Sequence, residues 1–227
     1  MTRKLSATGR VTTGIALLSP GLVVGLCAAR LGHKQAAASV GFQGVKVTLK
    51  TMQEIQQDLD RTFLPLEARG ITGMRLIDGG LPEETIDYFE ECLGTPPWPA
   101  DFKEFLNRYD FGRLTLGLVH FCGNGQYLND LVRFNGNRGR PSELLLIAGS
   151  DPHLILLNLK DGSVLALDNE LGWEAAIPVA RTFELFMRGI GTLAEARARR
   201  AAPSSLAETI AASVGVPDSP YWLTWVR

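Results

Sequence analysis

Reactive side chains are scarce in this sequence. Its 227 residues include only three cysteines and three histidines. Cys27, Cys92 and Cys122 are too scattered for a disulfide framework, and no CxxC pair is present for zinc or redox work. That usage fits a reducing, cytoplasmic setting. His33, His120 and His153 lie far apart and in neither HExxH nor HxxxH spacing, so no metal site is expected. The sequence has no GxxxxGK phosphate loop, no GxGxxG fingerprint and no GxSxG elbow. Gly123-Asn124-Gly125 is a bare GxG and reads as a turn. No cofactor is expected.

Acidic residues are missing from the first fifty positions, which hold seven bases and so carry +7. Residues 81–190 hold sixteen acids against nine bases, or −7, and the whole chain balances at −1. Near-neutrality argues against a dedicated nucleic-acid binder, so no direct nucleic-acid partner is expected. With 45% hydrophobic and 21% charged residues, the chain can bury a sizeable core and is not broadly disordered.

A continuous membrane-length apolar run is also lacking. Val11–Ala29 is uncharged but broken by Ser19-Pro20-Gly21 and diluted by Gly14 and Gly25, so no stable membrane insertion is expected. Arg3, Lys4 and Arg10 before it, with small residues at Cys27-Ala28-Ala29, give the outline of a secretory signal. Residues 1–50 therefore read as a basic, apolar leader, either poorly ordered or signal-like, which leaves export open beside the cytoplasmic reading. Met52 is an alternative start.

Organised sequence begins at Thr51-Met52-Gln53-Glu54, a capping box. Met52, Ile55, Leu59 and Phe63 follow at helical spacing, and Pro65 is expected to stop the run. Pro82 fits the first position of a second helix, in which Ile86, Phe89 and Leu93 share a face before Gly94. Pro99 opens a third, with Phe102, Phe105, Leu106 and Tyr109 at i, i+3, i+4 and i+7. Leu114–His120 reads as a strand, and Tyr127–Phe134 as either strand or helix. Leu144–Ala148, His153–Leu159 and Val164–Asp168 are clear strands; the last two join through Asp161-Gly162 in a tight hairpin. Because Leu154–Leu157 is apolar on both faces, this hairpin is expected to be central. Trp173–Val179 reads as a further strand and Phe183–Met187 as a closing helix. Helices, an antiparallel meander and a helix make an α+β fold with a mostly antiparallel sheet of about five to six strands. Its expected core includes Phe89, Leu93, Phe102, Phe105, Leu106, Leu156, Phe183 and Phe186. Past Gly191 the chain turns Ala/Arg-rich, with a second capping box at Ser205-Leu206-Ala207-Glu208. Trp222 and Trp225 at the end are expected to dock back on the domain, since monomers rarely leave such area bare.

The order of segments from Leu81 to Ile190 resembles the SUKH superfamily, which joins fungal cell-wall-assembly regulators of the Smi/Knr kind to bacterial toxin-immunity proteins. Ile86–Gly94 looks like its first helix ending in Leu-Gly. Trp98–Gly112 (WPADFKEFLNRYDFG) looks like its signature Pro-x-Asp-Tyr/Phe-x-x-Phe-Leu helix. Leu146–Asp151 resembles a strand ending in Gly-Ser/Asp, Leu154–Asp168 the central hairpin, and Arg181–Arg188 the closing Ser/Thr-Phe-x-x-Phe helix. The family's turn after the signature helix usually reads Asn-Gly-Gly, where this chain has Tyr109-Asp110-Phe111-Gly112. The resemblance, matched over 81–190, implies a SUKH-like domain over 51–190; the leader and the Ala/Arg-rich helical tail over 191–227 lie outside it.

The same resemblance implies a non-enzymatic protein-binding domain. Its most specific form is an immunity protein that binds and blocks a toxin domain, often a nuclease or deaminase. A charge of −7 suits steering toward a basic partner of that kind. Asp151, Asp168, Glu170 and Trp173 are the candidate partner-binding residues, because hairpin pairing brings their segments to one end of the sheet. A carboxylate cluster beside a tryptophan suits an Arg/Lys-rich surface. Two alternatives stand beside this reading. One is a regulatory scaffold of the same fold in cell-envelope or signalling assemblies. The other is a hydrolase using Asp151 with His153, or Asp168 with Glu170. Ser150, Asp151 and His153 are neighbours in sequence only, which does not make a triad.

Overall fold

Helix α1 (Met52–Glu67) begins where the capping box places it: the Thr51 hydroxyl accepts from Glu54 N, and the Glu54 carboxylate accepts from Thr51 N. Pro65 does not stop it. The helix ends only two residues later, so the proline's missing N–H costs a bond in the last turn alone. The computed structural model describes residues 48–110, 112–121, 127–136, 139–200 and 202–226. The leader up to residue 47, Cys122 and the Gly123-Asn124-Gly125 turn lie outside them.

Two short helices follow, α2 (Glu83–Leu93) and α3 (Ala100–Arg108), with Pro82 and Pro99 at their N-caps, one position earlier than expected. The α3 stripe is buried: Phe102 is 0% and Leu106 1% exposed, and Phe105 and Tyr109 join them. Phe89 and Leu93 of α2, expected in the core, are only half-buried at its margin, because α2 packs on α3 and α4 and not on the sheet. A small ladder missed by the sequence reading pairs β1 (Ile77–Asp78) with β2 (Tyr109–Asp110).

The main sheet is a six-stranded antiparallel meander: β3 (Thr115–Leu116), β4 (Val119–His120), β5 (Leu144–Ser150), β6 (His153–Asn158), β7 (Val164–Asp168) and β8 (Ile177–Ala180). The architecture is therefore α+β. The single strand expected over Leu114–His120 is two strands, because Gly117 (φ +63°) folds the run into a hairpin. Tyr127–Phe134 resolves as helix α4 (Tyr127–Asn135). Trp173–Ala175 is a 3₁₀ turn and not strand, and β8 begins only at Ile177. In the β6–β7 connection only Gly162 has positive φ; the loop closes through Gly162 N to Asn158 O and Asn158 N to Ser163 O, wider than the two-residue turn expected.

One face of the sheet carries the main core, shared with the helices. The other carries a smaller cluster of Leu144, Leu156 and Leu167, with Trp173 packed against it. Leu156 thus belongs to this second cluster. Phe183 and Phe186 are fully buried in the first, and Phe183 stacks edge-on with Phe102 and Phe105 at 4.9 and 4.8 Å.

Both expected boundaries move. Helix α5 (Phe183–Ala198) runs straight through residue 190, because Ile190 and Leu193 continue its buried stripe. Helix α6 (Ser204–Ser213) packs on α5 and on the closing 3₁₀ segment Pro220–Val226, so the tail belongs to the same compact unit as the sheet. α6 starts after Pro203 with no side-chain cap, so the box expected at Ser205 does not form. At the front, Leu49 is buried and Lys50 N donates to Thr192 Oγ1, placing Leu49 and Lys50 inside the fold. Trp222 and Trp225 dock back as expected, at 0% and 1% exposure, with Trp222 Nε1 donating to Val179 O at 3.0 Å.

Candidate functional site

Antiparallel pairing builds one end of the sheet from three strand ends. Ser150 closes β5, the cis peptide Asp151–Pro152 turns the chain, and His153 opens β6 opposite it. His153 in turn faces Asp168, the last residue of β7. The loops beyond are tied together: Asn169 N donates to Pro152 O at 3.2 Å, and Glu170 N donates to the Asp168 carboxylate at 3.0 Å. Asp151, Asp168 and Glu170 thus gather at the end opposite the Asp161-Gly162 turn. Asp151 and Glu170 are exposed and Asp168 half-buried.

None of these three carboxylates is in an ion pair among the described residues. Some acids elsewhere are held in ion pairs. Lys50 bridges Asp58 and Glu195, Arg75 bridges Asp60 and Glu67, and Lys103 bridges Asp87 and Glu90. Acids such as Glu83, Glu84 and Glu104 are also in no ion pair among the described residues. What sets Asp151, Asp168 and Glu170 apart is that pairing and loop contacts gather them at one sheet end.

Trp173 comes to the same region but does not stand free beside the carboxylates. Its ring is half-buried against the Leu144, Leu156 and Leu167 cluster. The exposed apolar residue in the loop is Leu171, at 57% exposure, which sequence reasoning passed over. Its signal was present: a leucine between Glu170 and Gly172, outside any strand or helix period.

Register also creates a cross-strand row that sequence adjacency concealed. Ser150, His153 and Asp168 lie side by side on three consecutive strands. Ser150 is 3% exposed, and its hydroxyl accepts from Tyr221 Oη at 3.2 Å. The His153 ring meets the Tyr221 ring edge-on, 5.6 Å between centroids. No side-chain hydrogen bond joins Ser150 to His153, or His153 to Asp168, among the described residues. Burial holds the Tyr221 phenol far above its usual range, at about 12. The row is a packed seam beneath the C-terminal segment. The pairs Asp151/His153 and Asp168/Glu170, weighed for hydrolysis, are likewise neighbours without a shared proton.

No group of three or more metal-binding side chains occurs among the described residues, and none of their helices is long and apolar enough to cross a membrane. Asn135 is a structural residue the sequence reading missed. Its buried amide accepts from Leu146 N at 2.7 Å and donates to Leu146 O at 2.8 Å, standing in for a strand partner beside the bulge in β5. Comparison of the chain with protein-family models and with curated proteins gives no match.

Proposed function

We propose that this chain is a non-enzymatic protein-binding domain of the SUKH-like kind, and specifically an immunity protein that captures a basic toxin domain, a nuclease or a deaminase, at the acidic end of its sheet. The observation that carries the reading is the gathering of three carboxylates, Asp151, Asp168 and Glu170, at one end of the sheet with no ion-pair partner among the described residues. Unpaired surface carboxylates cost little in water and become favourable when a partner supplies Arg or Lys. Leu171, next to Glu170, adds an exposed apolar contact in the same loop. Residues 48–227 hold every acid in the chain and carry a formal charge of −7, which favours fast association with a cation-rich surface.

The experiment is co-purification with the products of neighbouring genes, followed by association kinetics of the captured pair. Replacing Asp168→Lys together with Glu170→Lys should slow association at low salt by about tenfold or more and flatten its salt dependence. Unchanged association rate and affinity would place the interface elsewhere.

A further inference from the structure

We propose that the groove on the second face of the sheet is a binding site for a small carboxylic acid with an aromatic or branched aliphatic body. Pairing across β3 to β7 sets Thr115, His120, Gly149, Leu154 and Leu167 in one row. Gly149 interrupts that row in its middle. A Cβ built there meets nothing within 4 Å, so the missing side chain leaves a real depression in a paired strand. The resulting cavity is about 490 Å³, within the range of small-molecule sites.

Its walls are apolar. Leu146 and Leu154 flank Gly149, and Phe134 reaches in from α4, 44% exposed. Such a surface stays costly in water unless something covers it. Polar groups stand at its rim. Arg113 borders the cavity with no carboxylate partner among the described residues, and His120 is held by a 3.0 Å hydrogen bond between Nδ1 and the Thr115 hydroxyl. That bond occupies one ring nitrogen and leaves Nε2 for a ligand. No acidic side chain lines the cavity among the described residues. An exposed guanidinium with no carboxylate partner among the described residues, set beside an apolar depression, suits an anion carried on an apolar body. A carboxylate satisfies the planar guanidinium fork best. This site is separate from the acidic sheet end: Gly149 faces the second side, whereas its neighbour Ser150 faces the helices.

The test uses the full-length chain titrated with phenylacetate, indole-3-acetate and 4-methylvalerate, and with neutral 2-phenylethanol. Calorimetry and the methyl resonances of Leu146 and Leu154 report binding. At least one acid should bind saturably, shift both methyl sets and exceed the alcohol by about tenfold. Gly149→Leu should fill the depression and abolish binding while circular dichroism stays that of the native fold. Arg113→Gln, at an exposed position, should weaken acid binding by about tenfold and leave the alcohol unchanged. The proposal is overturned if no acid saturates, if the alcohol binds as tightly as the acids, if folded Gly149→Leu still binds, or if the chain merely self-associates through this face.

Discussion

At the scale of single residues, the side chains that decide most are those whose neighbours are distant in sequence. Tyr221 is the clearest case. Burial beneath the sheet end disfavours its phenolate, which raises its ionisation from the ordinary 10.0 to about 12. The sign follows directly. Below pH 10 the phenol is neutral in both folded and unfolded chains, and the full stability is present. Between pH 10 and 12 the unfolded chain ionises first and the folded state loses ground, by on the order of 2–3 kcal/mol at the upper end. Tyr221→Phe should therefore unfold less steeply with rising pH across that window than the wild type, at the cost of about 1 kcal/mol near neutrality for the lost bond to Ser150. Parallel alkaline limbs in denaturant titrations of the two proteins would show that Tyr221 is not the group responsible. Asn135 makes the same point about legibility: an asparagine at a helix end reads as a cap, and only the fold shows it acting as a strand partner.

At the scale of elements, hydrophobic period was a sound guide where an element buries one face. The α3 stripe was legible for that reason, whereas the β6–β7 hairpin was legible from a continuous apolar run and its Asp-Gly connection. The period misled where tertiary contacts cut an element short. Leu114–His120 breaks at Gly117, whose positive φ and lack of Cβ let the Trp225 ring lie directly against the backbone. Gly117→Ala should consequently cost about 2–4 kcal/mol, from left-handed strain and overlap with that ring together. Chemical denaturation would check it; a loss under about 0.5 kcal/mol would mean the closing 3₁₀ segment can move aside. Trp173 likewise leaves the strand pattern because its ring covers the second leucine cluster.

At the scale of the whole molecule, the folded unit reaches further in both directions than composition suggested. Leu49 is buried, Thr192 and Arg188 bond the Lys50 backbone, and the Lys50 side chain bridges α1 to α5. A chain beginning at Met52 should accordingly be less stable than one beginning at Thr48 by about 2–4 kcal/mol, mostly from the lost leucine burial and helix cap. Equal melting curves for the two would show that this segment is an appendage. The acidic sheet end and the apolar groove bordered by Arg113 are also properties of this scale. Each is assembled from strands separated by loops, and neither has a local motif.

What the sequence by itself determined is the class of fold and the burial of its strongest stripes: helices, an antiparallel meander, a central hairpin, and a carboxylate cluster past the strand ends. These follow from periodicity and pairing, which act between neighbours along the chain. Tertiary structure alone decided that Trp173 is half-buried and that Ser150, His153 and Asp168 align without a shared proton. It alone decided, too, that Gly149 opens a groove. Those outcomes depend on register between distant strands and on which surfaces remain uncovered once every segment has packed, quantities that no local pattern encodes.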